Sequence, residues 1–234
     1  MSHIPKVLGA FARLLSYPDQ QASQTAELLY VVLSDEIPEA ARAMSQFGAF
    51  LEQHEGWQVE EAFTETFDVN PACALEVGWH LFGEEYARGM FLVRMRQEMR
   101  KYALAESAEL PDHISHVLAI VAAMPDDEAA RFVTACLQPA VEKMNDALAT
   151  KESPYRHLLA ALAAVIEQKW GASAAARPRQ LLQSLSAGLD PLHAYPVAEI
   201  GCGGRCGTAG SEPHLVPLEV TIPVRDRSAG DHRE

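Results

Sequence analysis

The sequence predicts an all-α protein: an irregular single-domain helical bundle over residues 1–185, followed by a mostly extended, Gly/Pro-rich tail over 186–234. Three observations carry this prediction. Ala and Leu dominate the apolar residues while aromatics make up only 7%, a balance that favours helix over sheet. Apolar residues recur at i, i+3, i+4 and i+7 through most of the first 170 positions, the period of a helix with one buried face. Residues 171–234 then hold eight Gly and six Pro, together as many as all the preceding residues hold, and periodicity fades after Leu185.

Ile4, Val7, Leu8, Phe11, Leu14 and Leu15 mark a first helix that Tyr17-Pro18 stops. Helices over 24–33 and 39–53 follow, with Pro38 suited to a first turn, and another over 60–67 is broken by Asn70-Pro71. The longest uninterrupted candidate covers 84–105. There Tyr86, Met90 and Val93 share one stripe and Phe91, Met95, Met99 and Tyr102 a second, so the spacing predicts a helix contacted from two sides in the middle of the bundle. Pro111 is expected to open the next helix, whose core face is Ile114, Val117, Leu118, Val121 and Met124. Asp126-Asp127-Glu128 place three carboxylates in a first turn, where the backbone dipole favours them. Val133, Leu137, Val141, Met144 and Leu148 continue that helix, and Pro139 should kink or split it near Gln138. Residues 155–170 form the last long helix, with a short one expected at 179–185 and a lone strand at 219–222 between Pro217 and Pro223.

The charge narrows the partners. Glu27 to Glu85 contain thirteen carboxylates against the single base Arg42, a net of −12 out of the whole chain's −13. Such a field repels nucleic-acid phosphates and steers cationic partners, although a solvated surface accounts for it equally well. No basic n-region precedes an apolar stretch at the N-terminus, and no run reaches the ~18 apolar residues of a spanning helix. A cytoplasmic protein with no direct membrane insertion is expected. Cys73, Cys136, Cys202 and Cys206 are too few and too uneven for a disulfide framework.

Several short segments stand out. Glu109-Leu110-Pro111-Asp112-His113 reads as a well-made helix start, with Pro111 fixing φ and Asp112 placed to accept from first-turn N–H groups. The same residues present Glu109, Asp112 and His113 from one rigid corner, suited to gripping a peptide. In Phe63-Thr64-Glu65-Thr66-Phe67-Asp68 the two rings share a face at i and i+4, with Glu65 and Asp68 outward. Trp79-His80-Leu81-Phe82-Gly83 leads to Arg88-Gly89, where Gly89 within a helix costs ~1 kcal/mol relative to Ala and implies close packing or close approach of a ligand. Cys202-Gly203-Gly204-Arg205-Cys206 places two thiols in half of a metal-site pattern; only His193 and His214 lie nearby, so Cys202 and Cys206 are weak metal candidates. His113 and His116 with Asp112 suggest a helical metal-dependent hydrolase, but no general-base Glu or second His cluster accompanies them. Phosphate-binding glycine loops and Gly-x-Ser-x-Gly elbows are missing from the sequence, so no enzyme and no cofactor is expected. Arg94, Arg96, Arg100 and Lys101 are the only cluster that would serve a helical transcription regulator, and they share a helix with core residues.

The order and spacing of the 63–68, 79–89 and 109–113 segments over residues 5–170 resemble the NarJ/TorD/DmsD family of redox-enzyme maturation chaperones, most of all its nitrate reductase branch. The family pattern has Tyr where this chain has Phe63 and commonly Asp where it has Ala87. The resemblance implies a cytoplasmic chaperone that binds the apo catalytic (alpha) subunit of a molybdoenzyme through its N-terminal peptide and assists molybdenum-cofactor insertion before membrane attachment. Cofactor-delivery proteins are further candidate partners, and nucleic acid is not. The residues expected to bind the partner are Phe63, Glu65, Phe67, Asp68, Leu81, Phe82, Tyr86, Arg88, Glu109, Pro111, Asp112 and His113, forming a groove between the long helix and the Pro111 turn.

Overall fold

A computed structural model describes residues 3–172. The expected short helix at 179–185, the strand at 219–222, the Cys202/Cys206 pair and the tail all lie outside these residues. Among the described residues the regular elements are all helical, joined by turns and loops, with one isolated antiparallel bridge between Glu76 and His113.

The helices are α1 (Ile4–Leu14), α2 (Ala22–Glu36), α3 (Pro38–Gln53), α4 (Gly56–Phe63), α5 (Val77–Phe82), α6 (Tyr86–Lys101), α7 (Ile114–Ala123), α8 (Asp126–Phe132), α9 (Gln138–Leu148) and α10 (Tyr155–Trp170). Prolines set several starts: Pro5 and Pro38 occupy the first turns of α1 and α3, where a missing N–H costs nothing. Glu55 and Gln58 close a reciprocal capping box at the start of α4. The three carboxylates 126–128 fall in the first turn of α8 as expected. The helix over 126–148 is interrupted by a π-turn at Val133–Leu137, immediately before Pro139. A proline ring clashes with the carbonyl four residues earlier, and the wider π-turn displaces that carbonyl without ending the helix.

The packing order is α2 on α3, α3 on α10, α10 on α9, and α1 against both α7 and α2. Val7, Leu8, Phe11, Leu29, Leu33, Met44, Phe47, Val117, Leu118, Leu158 and Leu162 meet in one continuous core. Cys73 and Cys136 lie in it as free thiols, and burial pushes both up to about 12, so they behave as small apolar side chains.

Helix α6 departs from expectation. It starts at Tyr86, because Gly83 turns the chain at φ +60°, and ends at Lys101, where Ala103 reverses it at φ +53°. Only one of its two apolar stripes is covered: Phe91, Met95 and Met99 are buried, whereas Tyr86 is 85% and Val93 47% exposed. The helix lies at the edge of the bundle, against α5 and α7. Periodicity reported two stripes correctly but not how many neighbours were available to cover them.

An aromatic cluster joins the first half of the chain to α10. Tyr155, 1% exposed, has the rings of Phe47, Phe63 and Phe67 at centroid distances of 5.2, 5.6 and 5.1 Å. Its hydroxyl meets the Val59 carbonyl only at 3.5 Å, at the limit of a hydrogen bond. Its worth is therefore in ring contacts. Tyr155→Ala should cost about 3–5 kcal/mol of unfolding free energy, and Tyr155→Phe about 1 kcal/mol or less. Urea unfolding of both variants measures this, and equal losses would contradict the assignment to ring packing.

Candidate functional site

The three segments that stand out in the sequence meet around one cavity of about 540 Å³. Its wall is built by the π-turn Thr64–Asp68, the short helical turn Pro71–Cys73, the α5 start and the loop before α7. Phe63, Phe67, Leu75 and Trp79 supply apolar surface, and Asp68, Glu76 and Glu109 supply carboxylates. Arg88 is the single Lys or Arg of the lining among the described residues, and His113 also faces in.

Local chemistry explains each placement. Phe63 ends α4, and the π-turn keeps both Phe63 and Phe67 buried at 3% while Glu65 and Asp68 remain exposed, as the spacing predicts. Thr66 holds this turn, its hydroxyl 2.6 Å from the Ala62 carbonyl and 2.7 Å from Ser153 Oγ. Trp79 Nε1–H donates to the Pro71 carbonyl at 2.8 Å, fixing the indole edge, and the Arg88 guanidinium lies 5.7 Å from its ring centroid. His80, beneath, bonds the Ala74 carbonyl at 2.7 Å, while Lys143 caps the His80 carbonyl.

The 109–113 corner differs from the expected helix start. The first helical residue is Ile114, three positions later than Pro111 implies, and the capping residue is His113, not Asp112. His113 Nδ1 accepts from the Ser115 N–H at 3.2 Å and from the Ser115 hydroxyl at 2.7 Å, so the neutral ring carries its proton on Nε2. Two backbone bonds stitch this corner to the α5 start: the Val77 N–H donates to the Asp112 carbonyl (2.9 Å) and the Ile114 N–H to that of Leu75 (2.8 Å). Asp112 is fully buried, and Arg88 Nε donates to its Oδ2 at 3.3 Å. Arg88 thus finds its carboxylate across the fold, not at position 87, where this chain has Ala.

Gly78 makes that arrangement possible. A Cβ there would stand 2.6 Å from Asp112 Oδ2 and 2.9 Å from the Phe91 ring. Gly89, where the sequence suggests crowding, has nothing within 4 Å of that position. The close-approach glycine is the one that starts α5, not the one inside α6.

Of the residues expected to bind a partner, Phe63, Phe67, Asp68, Arg88, Glu109 and His113 line the cavity. Asp112 lies behind it, joined through Arg88. Leu81 and Phe82 pack partly against the core, Phe82 with its ring 5.5 Å from Phe91. Glu65, Pro111 and Tyr86 are outside the lining as well, and Tyr86 stands free on the surface. The expected set omits the lining residues Tyr17, Pro71, Ala74, Leu75, Glu76, Trp79 and Leu110. Glu76 was visible only as one more acid, because its position depends on the bridge to His113.

Most groups of the two alternative readings are otherwise engaged. His116 bonds the Leu110 carbonyl and Ser107 Oγ, both at 2.9 Å, and its ring centre is 6.3 Å from that of His113. No group of three His, Cys, Asp or Glu side chains suited to a metal occurs among the described residues. Arg94, Arg96 and Lys101 pair with Glu98, Glu106 and Glu128 at 2.7, 3.2 and 2.8 Å.

Burial governs the titration of the corner. It pushes the His113 imidazole down to about 4, against the opposing pull of Glu76 and Asp68. It also raises the Asp112 carboxyl above its ordinary value, more than Arg88 lowers it. Between pH 6.5, the ordinary value, and about 4, the unfolded chain takes up a proton on residue 113 that the folded chain refuses, a loss of about 3 kcal/mol across that window. Asp112 acts oppositely: the folded state protonates first, so stability returns as pH falls through its raised value. His80 and His157 are also lowered by burial and add to the loss. Urea midpoints should fall from pH 7 to pH 5, and His113→Asn, which retains a capping acceptor, should flatten that slope without abolishing it. Separately, Gly78→Ala should destabilise by about 1–3 kcal/mol through overpacking, whereas Gly89→Ala should stabilise by up to about 1 kcal/mol; thermal unfolding compares the two.

Residues 34–170 match the family model described as nitrate reductase delta subunit. The chain is similar to the nitrate reductase molybdenum cofactor assembly chaperone NarJ of Escherichia coli K12, 28% identical over 148 residues, and equally to that of Escherichia coli O157:H7. The alignment covers 62% of this chain and 62% of each relative, so the chain spans less than two thirds of the length of the relatives it matches. The family match covers more than half of the chain and includes all three segments around the cavity: this protein belongs to the nitrate reductase delta subunit family.

Proposed function

We propose that the chain is an assembly chaperone for a nitrate reductase-type molybdoenzyme, acting in the cytoplasm, and that it binds the N-terminal segment of the apo catalytic subunit in the cavity. It assists insertion of the molybdenum cofactor and delays membrane attachment until loading is complete. The observation that carries this reading is the cavity's composition: an aromatic floor inside a rim of carboxylates. The family and the assembly-chaperone role that names the Escherichia coli relatives support it.

The geometry suits an amphipathic peptide carrying Lys or Arg. Apolar side chains settle against Phe63, Phe67, Leu75 and Trp79, and the cationic heads meet Asp68, Glu76 and Glu109. Arg88 does not cancel this field, because Asp112 neutralises it from behind. A cavity of about 540 Å³ accommodates a few side chains, not a folded domain. It therefore reads a short segment while the rest of the client stays outside. Exposed ion pairs contribute only ~0–1 kcal/mol each; the carboxylates set association rate and orientation, and apolar burial supplies most of the affinity. The reading asks no residue to make or break a bond.

Asp112 and His113 are buried and hold the wall, so their removal tests stability more than grip. Asp68, Glu109 and Leu110 are exposed, and their substitution leaves the core intact. Calorimetry with a synthetic peptide copying the catalytic subunit's N-terminal segment should show Asp68→Lys and Glu109→Lys each weakening binding up to about fivefold at low salt, with a shallower salt dependence. Leu110→Ala should weaken it about 5- to 10-fold at any salt. Wild-type affinity in all three variants would remove the cavity from this role.

A further inference from the structure

Helix α2 carries six consecutive apolar residues, Leu28-Leu29-Tyr30-Val31-Val32-Leu33, of which the core uses two. Leu29 and Leu33 are 2% and 1% exposed, whereas Leu28, Val31 and Val32 are 60%, 61% and 43% exposed and Tyr30 is 42% exposed. Leu28, Val31 and Val32 stand at i, i+3 and i+4, so they form a second stripe on the side turned away from Ala26, Leu29 and Leu33. Single exposed apolar residues are ordinary, but a contiguous stripe on one helix marks an interaction surface.

Grooves run along both flanks of this stripe. Toward α3, Tyr30 and Val31 share a groove of about 330 Å³ with Glu27 and Glu52. Toward α1, Leu28 and Val32 share one of about 410 Å³ with Val7 and Ala10, and its one Lys or Arg among the described residues is Lys6. None of these residues lines the cavity described above. The α2–α3 hairpin carries Glu27, Asp35, Glu36, Glu39 and Glu52 against Arg42 alone. The stripe is therefore apolar along its centre and anionic on its α3 side.

We infer that the outward face of α2 is a second docking surface, for an amphipathic helix of a partner protein that covers Leu28, Val31 and Val32 and sets Lys or Arg side chains against Glu27 and Glu52. Charge selects this occupant over a second copy of the chain, which would bring another −13 and the same acidic hairpin to the contact. The 15 residues of α2 span about 22 Å, so a partner helix of about four turns covers the face.

The probe is a fluorophore-labelled Leu/Lys amphipathic peptide of about 18 residues, titrated into the full chain. Two peptides should bind per chain, one of them displaced by the client's N-terminal peptide from the cavity. Leu28→Ser with Val31→Ser, both on the surface, should abolish the other site or weaken it at least tenfold while the displaceable one remains. Glu27→Lys with Glu52→Lys should weaken the same site several-fold and flatten its salt dependence. A single peptide fully displaced by the client peptide, or two retained in Leu28→Ser/Val31→Ser, would overturn the inference. So would a concentration-dependent doubling of mass in sedimentation that Leu28→Ser/Val31→Ser abolishes, since the face would then join two copies. If the client peptide displaces nothing, the cavity reading fails while the α2 variants still decide this one.

Discussion

The cavity depends on one junction, the two-bond bridge between Leu75–Val77 and Asp112–Ile114. The bridge brings two stretches from different halves of the helical body side by side. Gly78 follows it directly and lets Asp112 come into contact with the α5 backbone. Asp112 in turn holds Arg88, and Arg88 lies over Trp79. Backbone pairing, a missing side chain, an ion pair and a ring contact thus form one chain of dependence, and each link places a residue of the cavity wall. The ion pair itself is a poor source of stability. Desolvating two charges costs several kcal/mol per ion, roughly what their attraction returns, and the Asp112 carboxyl sits above its ordinary pKa despite Arg88. Its contribution is positional: the guanidinium is fixed where it neither fills the cavity nor neutralises its rim.

The acidic character of the chain takes on meaning through this placement. Most of the carboxylates between Glu27 and Glu85 are solvated and report little beyond solubility. Asp68 and Glu76 differ because they share one concave surface with apolar rings, and both act electrostatically on His113 across it. A concave site with low-dielectric walls concentrates such a field, where the same charges spread over a convex surface would be screened. The α2 face has the simpler form of the same idea, an apolar stripe with carboxylates on one flank.

Much of this was legible in the sequence, and the failures share a cause. Pro38 and the acidic triplet 126–128 locate helix starts because they act on the backbone locally. Phe63 and Phe67 were read as inward from spacing alone, and both are buried. Tyr86 and Val93 fit a helical stripe and so read as core, yet among the described residues no element buries them. Periodicity states which residues share a face and is silent on whether another helix arrives to bury it. Asp112 was read as a cap because Pro-Asp commonly begins a helix; the bridge shifts the start by three residues and turns that side chain inward. Gly89 stands out in the sequence because mid-helix glycine carries a propensity cost, whereas nothing marks Gly78, whose need for glycine arises from Asp112 and Phe91, both distant in sequence.

The π-turn at Thr64–Asp68 shows how the cavity is tied to the rest of the bundle. In a regular helix continuing α4, about 100° of rotation separates successive residues; the wider turn changes that rotation so that Phe67 still meets Tyr155 while Asp68 reaches the cavity rim. Such a turn persists only where its surroundings favour it, and here they are specific: the Thr66 hydroxyl bonds both the Ala62 carbonyl and Ser153, the residue whose hydroxyl also accepts from the Tyr155 N–H at the start of α10. The floor and rim of the cavity are therefore referenced to α10 as well as to their sequence neighbours. A family match that runs through residue 170 is what this arrangement requires: a chain ending before α10 would retain every motif around the cavity and lose the contacts that set Phe63, Phe67 and Asp68 in register.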